Sequence, residues 1–306
     1  MVVYKNLTVK RLFQLNPFAM IYIVVLCLIT TYLSLKFPAH EFISTPSLTI
    51  FGTLLSILIG FRINEAYNRY WEARILWGQL VNQSRNISRS ILSLVDEPIG
   101  SKKSVEKAGE THKWLIYRIL AYVNALRLHL RRQDRWEELK PYIKTGEEWN
   151  DYTKAVNKPT RILQRESQEI KKLLKQEPGK DFRWVSVENS LSEFYNIQGG
   201  CERIKNTPFP RIYSRMTRGF TWIFATLLIL SLYDEFDWQL LVIRGVVGYV
   251  FLTLDKIQTL LKNPFDNTIA DTPMTSLCRT IEIDLRQMMG ETEIPEPVKP
   301  VQGILY

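Results

Sequence analysis

Four apolar stretches stand out along the chain. The first, 17–35 (PFAMIYIVVLCLITTYLSL), carries no charge and is about as long as a helix needs to cross roughly 30 Å of hydrocarbon. It predicts a membrane-spanning helix. The second, 48–61 (LTIFGTLLSILIGF), is shorter but runs without a breaker into polar sequence from Arg62. That continuity predicts one helix that crosses the bilayer and extends into water. The third, 220–232 (FTWIFATLLILSL), follows Arg211, Arg215 and Arg218, and the fourth, 238–254, is interrupted by Arg244. A charge at mid-bilayer costs several kcal/mol unless it faces protein or water, so neighbouring helices are expected to shield Arg244.

Between positions 62 and 210 the pattern changes to charge and helix formers, punctuated at Pro98-Ile99-Gly100, Pro159 and Pro178-Gly179. This predicts a water-facing helical domain. Within it, Asp181 is expected to cap a helix running to about Asn196 and ended by Gly199-Gly200, while Lys171, Lys172 and Lys175 form a solvated face. Thr272 as cap and Pro273 as first helical residue precede Met274, Leu277, Ile281, Leu285 and Met288, an amphipathic spacing stopped by Gly290. No internal repeat is present. The predicted organisation is 1–61 for the N-terminal segment and first two membrane helices, 62–210 for the cytoplasmic helical region, 211–262 for the third and fourth membrane helices, 263–290 for a C-terminal helix and 291–306 for an extended tail.

Composition supports this division. Of 306 residues 46% are hydrophobic and the mean hydropathy is −0.11, too low for a chain mostly buried in lipid. The net charge of +9 would suit an anionic partner, but the basic residues track the ends of the apolar stretches rather than an aromatic-bearing patch, which argues against nucleic acid. Lys5, Lys10 and Arg11, then Arg62, Arg69 and Arg74, then Arg211, Arg215 and Arg218, then Lys256 and Lys262 fall on alternate connections, and an opposite connection holds Asp234, Glu235 and Asp237. By the positive-inside rule both termini face the cytoplasm. The first stretch is long for a signal peptide and has no small-residue cleavage site, so it reads as a retained anchor. Cys27, Cys201 and Cys278 lie far apart with no CxxC spacing, so no disulfide framework, metal or cofactor is expected. The competing architecture, a soluble protein with four buried helices, is disfavoured by the uncharged first stretch and the alternating charge.

Candidate chemistry sits on the second apolar helix. Gly52, Ser56 and Gly60 recur at a spacing that lets helices pack closely. Thr53, Ile57 and Phe61 recur every four residues on a neighbouring line, and in a ring of subunits would line an axis, where apolar rings gate by dewetting. Periodicity alone favours the plainer reading of ordinary packing or lipid contact. An enzymatic reading would use Glu72, Glu202, His112 or His129 as acid-base groups, but no HExxH, GxSxG or P-loop is present. Glu72 and Glu202 stand beside arginines, in EAR and CER, where ion pairing at a subunit contact is the simpler account.

Three segments together resemble the bestrophin family. Residues 60–78 (GFRINEAYNRYWEARILWG) are similar to the aromatic and arginine cluster after the family's second membrane helix. Residues 199–210 (GGCERIKNTPFP) resemble the bacterial turn before the third, and 278–290 (CRTIEIDLRQMMG) its C-terminal helix. The resemblance implies an all-α multi-pass membrane protein, four transmembrane helices per subunit and a cytoplasmic helical domain, assembled as a ring-shaped homopentamer in the cell inner membrane. It implies a channel passing monovalent ions passively, with a hydrophobic neck at Thr53, Ile57 and Phe61. It also implies a cytoplasmic constriction near the start of the helix after Asp181, at Phe182 or Arg183. An axial Arg183 would attract anions, an axial Phe182 would make an apolar ring, and a solvent-exposed Arg183 is equally open. Anion and cation selectivity both occur in the family. Eukaryotic members follow Asn-Pro-Phe with an acidic calcium clasp. Here Asn263-Pro264-Phe265 is followed by Asp266, Asn267, Thr268, Ile269, Ala270 and Asp271, too few carboxylates for that shell. The alternatives are a membrane-anchored enzyme and a non-conducting scaffold.

Overall fold

The computed structural model describes residues 15–37, 44–94, 102–174, 181–231 and 237–305, with backbone alone at 94, 102–108, 174 and 181–183. Pro98-Ile99-Gly100, Pro178-Gly179, Lys175, Asp234, Glu235 and the basic residues of the first eleven positions lie outside them. The described residues form helices and connections with no strand. A single bridge pairs Val301 with Ile304 in the tail.

Helix α1 (Pro17–Lys36) starts where the Asn16 side chain accepts the Ala19 amide at 3.4 Å and Pro17, with no amide to lose, takes the first turn. Helix α2 (Thr45–Leu94) is unbroken over 50 residues, about 75 Å at 1.5 Å per residue, so it is far longer than a bilayer core. Both are long and apolar enough to cross a membrane. Helices α7 (Arg211–Leu230) and α8 (Trp238–Leu261) contain most of the third apolar stretch and all of the fourth.

The chain divides into two compact units. One joins Tyr4–Trp71 with Pro208–Pro264. In it Ala19, Ile23 and Leu26 of α1 pack with Ala225, Ile229 and Leu252 of α7 and α8, and Leu48, Leu55 and Ile59 of α2 pack on Phe224. The outer faces stay apolar and exposed, as at Phe18, Ile21, Leu28 and Val246. Such surface is what lipid or partner subunits cover.

The other unit joins Glu72–Thr207 with Phe265–Tyr306. Its central helix α3 (Lys102–Arg131) is buried almost all round from Leu115 to Leu130, which a run of Leu, Ile, Ala and Tyr at every helical angle requires. A 3-10 turn (Trp136–Tyr142), α4 (Gly146–Lys154), α5 (Lys158–Leu174), α6 (Asp181–Asn206) and α9 (Met274–Met288) complete this unit.

Two expected boundaries move. Helix α6 does not end at Gly199-Gly200 but continues to Asn206. Glycine inside a helix costs only about 1 kcal/mol, and here the missing side chain is needed: a Cβ on Gly200 would sit 3.0 Å from both methyls of Leu76. Helix α9 begins at Met274 with Pro273 in the cap position, not Thr272, and Pro273 offers no side-chain bond. Gly290 does end it. Its φ of +73° lets the Gly290 and Glu291 amides bond the Gln287 and Arg286 carbonyls, a Schellman closure.

Candidate pore face

Helix α2 places its predicted residues on different sides. Its buried side runs through Leu48, Gly52, Leu55, Ile59, Arg62 and Ala66. Thr53, Ile57 and Phe61 all lie on the open side, with Ile57 52% and Phe61 64% exposed. The Thr53 hydroxyl is turned back to its own helix, donating to the Thr49 carbonyl at 2.8 Å. Ile50 and Leu54 are exposed too, so the open face is wider than one line of side chains.

The expected packing face of Gly52, Ser56 and Gly60 holds within the chain only at Gly52, where an added Cβ would meet the Phe224 ring at 2.8 Å. Ser56 is exposed, its hydroxyl donating to the Gly52 carbonyl at 2.7 Å, and Gly60 faces open space. The reason is the helical angle: Leu55 and Ile59, not Ser56 and Gly60, continue the side that Gly52 begins. Phe182 and Arg183 fall in the first turn of α6, where the backbone is helical and their side chains lie outside the described residues.

Below the apolar part of α2, Arg62 is not the solvated flanking charge that the topology argument made of it. It is 1% exposed, its Nη1 donating to Asp255 Oδ1 at 2.9 Å and its Nη2 to Gln258 Oε1 at 2.8 Å. Arg218 Nε reaches the other oxygen of Asp255 at 3.0 Å, and its Nη2 reaches Thr259 at 2.8 Å. Asp255 thus joins α2, α7 and α8. The sequence reading missed Asp255 and Gln258, although an acidic residue inside an apolar helix, three positions from a glutamine, is a signal of a buried polar site. Arg244 is half-buried as expected and donates to Ser231 Oγ at 2.5 Å.

Of the acid-base candidates, only Glu202 and His129 are described as neighbours. Glu72 pairs with Arg203 of its own chain, both side chains lying at the surface. Glu202 accepts from Asn157 and Gln198 and lies 3.4 Å from His129, whose pKa burial pushes down. His112 is buried on α3, 17 positions before His129, about 25 Å along the helix. After Phe265, Asp266 bonds Lys205 at 2.7 Å, and Asp271 accepts the Asn267 amide at 2.5 Å, its pKa raised to about 7 by burial.

Comparison with known proteins adds to this geometry. Residues 8–287 match the Bacterial/Fungal Bestrophin protein family. The voltage-dependent anion channel-forming protein YneE of Escherichia coli is 31% identical over 271 residues, 88% of this chain and 83% of that protein. A voltage-dependent anion channel-forming protein of Mesorhizobium japonicum is 29% identical over 256 residues, 83% of this chain and 78% of that one. A single-residue variant of a bacterial bestrophin homologue from Klebsiella pneumoniae shares the fold with a TM-score of 0.80 and 25% identity, over 90% of this chain and 99% of that chain. The all-helical architecture and the sequence from the first apolar stretch to α9 therefore identify the chain as a member of the bestrophin family.

Proposed function

We propose that copies of this chain form a homopentameric channel in the cell inner membrane, both termini cytoplasmic, that passes monovalent ions passively down their gradient. The observation that carries this is the two-sidedness of α2. One side is locked to α7 and α8 by Phe224 and Asp255, while Thr53, Ile57 and Phe61 stay open over two helical turns. A helix fixed on one side presents its other side in a constant orientation, which a ring of subunits needs to build a narrow apolar neck. Relatives named as anion channel-forming proteins support the same activity. In this reading 1–61 and 211–262 form the membrane part, 62–210 and 263–290 the cytoplasmic part, and Phe182 or Arg183 a second constriction. The Asp266 and Asp271 carboxylates already serve Lys205 and the Asn267 amide, which supports gating without a eukaryotic-type calcium clasp.

Planar-bilayer recording of the purified protein tests this. Wild-type protein is expected to conduct, and Ile57→Ala or Phe61→Ala to conduct more, because five apolar side chains leave the neck together. Silence from wild type and both variants would overturn the channel reading in favour of a scaffold. Turnover lost on replacing Glu72 or Glu202 would favour an enzyme. Reversal potentials in a salt gradient identify the permeant ion.

A further inference from the structure

We propose that the groove between α1 and α8 binds an anionic phospholipid of the cytoplasmic leaflet, with one acyl chain lying along the groove and the phosphate meeting Lys256. This rests on the bilayer placement of α1 and α8, not on ion conduction. The groove holds about 580 Å³, within the roughly 300–1,000 Å³ of small-molecule sites. It runs along α8 from Leu241 to Leu254, about 20 Å at 1.5 Å per residue, against roughly 15 Å for one half of the hydrocarbon core.

Glycine lets α1 close on α8 along this seam. A Cβ on Gly248 would sit 3.1 Å from Ile23 Cδ1, and one on Gly245 would sit 3.5 Å from Cys27 Sγ. Val24 and Leu28 of α1 and Val242 and Val246 of α8 stand exposed on either side of the seam as the groove walls. Thr31, a polar member of the lining, turns its hydroxyl back to the Cys27 carbonyl at 2.8 Å. The surface left open is therefore suited to hydrocarbon.

The groove lies on the side of the bundle away from α2. The core that joins α1 to α7 and α8 contains no residue of α2, and the core that joins α2 to α7 and α8 contains none of α1. Helices α7 and α8 thus form a layer between them. With the open side of α2 turned to an axis, the groove is at the rim, where lipid is the neighbour.

One end of the groove is charged. Val242, Gly245, Tyr249, Thr253 and Lys256 follow one another at three or four positions, the spacing of a single helix face. Lys256 is exposed and pairs with no described residue. It stands one turn beyond Leu252, whose carbonyl accepts from Asn16 Nδ2 at 3.2 Å where α1 begins. A lysine lays its stem along apolar surface and carries its ammonium to headgroup level, where anionic lipids of the cytoplasmic leaflet attract it. A protein helix in the groove would supply the apolar contact without the charge.

Native mass spectrometry of the intact full-length assembly in detergent tests this, with phosphatidylglycerol titrated against phosphatidylcholine of the same acyl chains. No current is read, so silence in bilayer recordings overturns the channel reading and leaves the lipid site standing. Wild type is expected to bind phosphatidylglycerol saturably at one per chain, and phosphatidylcholine about fivefold more weakly, the share one lysine contributes at an anionic surface. Lys256→Gln should bind the two lipids alike. Val246→Trp, which fills the groove, should lose about tenfold or more in affinity for both, since displacing only two methylenes of the chain is worth that much. Ile243→Trp, exposed on α8 outside the groove, should bind as wild type does. If Val246→Trp does not fold, Leu28→Trp on the facing wall replaces it with the same expectation. No saturable binding in wild type, or wild-type affinity in the groove variant, overturns the site. A preference for phosphatidylglycerol that survives Lys256→Gln overturns the headgroup contact. An assembly that separates into folded single chains when the groove is filled makes it a subunit contact and overturns lipid as its occupant.

Discussion

Replacing Asp255 with asparagine removes one charge and almost no volume, which isolates the role of the ion pair under the membrane helices. Arg62 is 1% exposed and its side chain reaches Asp255 at 2.9 Å. At that separation an effective dielectric of 20 gives about 6 kcal/mol of attraction, and desolvating each ion costs several kcal/mol in return. The intact pair is therefore worth little net. Its loss is another matter, because Asp255→Asn leaves Arg62 buried without a counter-charge, a change of about 3–5 kcal/mol. Arg218 adds little, being 45% exposed and screened. The assay is unfolding in mixed micelles against SDS fraction, followed by circular dichroism. The exposed pair Arg85 and Asp284 is the internal control, where Arg85→Gln should cost about 1 kcal/mol or less. The double variant Arg62→Met with Asp255→Leu should recover more than half of the single-variant loss, because apolar side chains carry no desolvation cost. The reasoning is refuted if Asp255→Asn costs no more than Arg85→Gln, or if the double variant is as unstable as the sum of its parts.

Two further outcomes follow from contacts already described. Gly52→Ala should destabilise by about 1–3 kcal/mol in the same unfolding assay, since the Phe224 ring it would strike is boxed by Phe51 and Phe251, whereas Gly60→Ala meets nothing within 4 Å of its own chain and should unfold no earlier than wild type. Stability should also fall as pH rises from about 4.5 to about 7: burial raises Glu166 from 4.5 to about 7, where Arg118 faces both Glu166 and Glu148 and one negative charge is left in excess. Folded protein then binds more protons than unfolded protein across that window, so the slope is negative, and Asp271, also raised to about 7, adds to it with the same sign. Glu166→Gln should flatten the dependence in denaturation midpoints taken from pH 5 to 8. An unchanged slope would exclude Glu166 as its source.

The sequence by itself determined the helical class and the apolar stretches, because an uncharged run of membrane length is a local property. It also carried the family motifs, which are read in order along the chain. Tertiary structure decided which side of α2 is which. Gly52 and Gly60 share a spacing, yet a side chain at Gly52 would strike Phe224 while one at Gly60 meets nothing, since the partner that defines a face lies more than 150 positions away and has no local signature. The same distance hid the pairing of Arg62 with Asp255: Arg62 looks like a boundary charge, and its partner on α8 is 193 positions away. Gly199-Gly200 looked like a helix stop, and only the approach of Leu76 shows why glycine sits within a helix there. The Arg131 bond to Thr275 was equally invisible, because the two become neighbours only when α9 returns to the end of α3. Local chemistry sets which elements form, and long-range packing sets which of their side chains are left free to act.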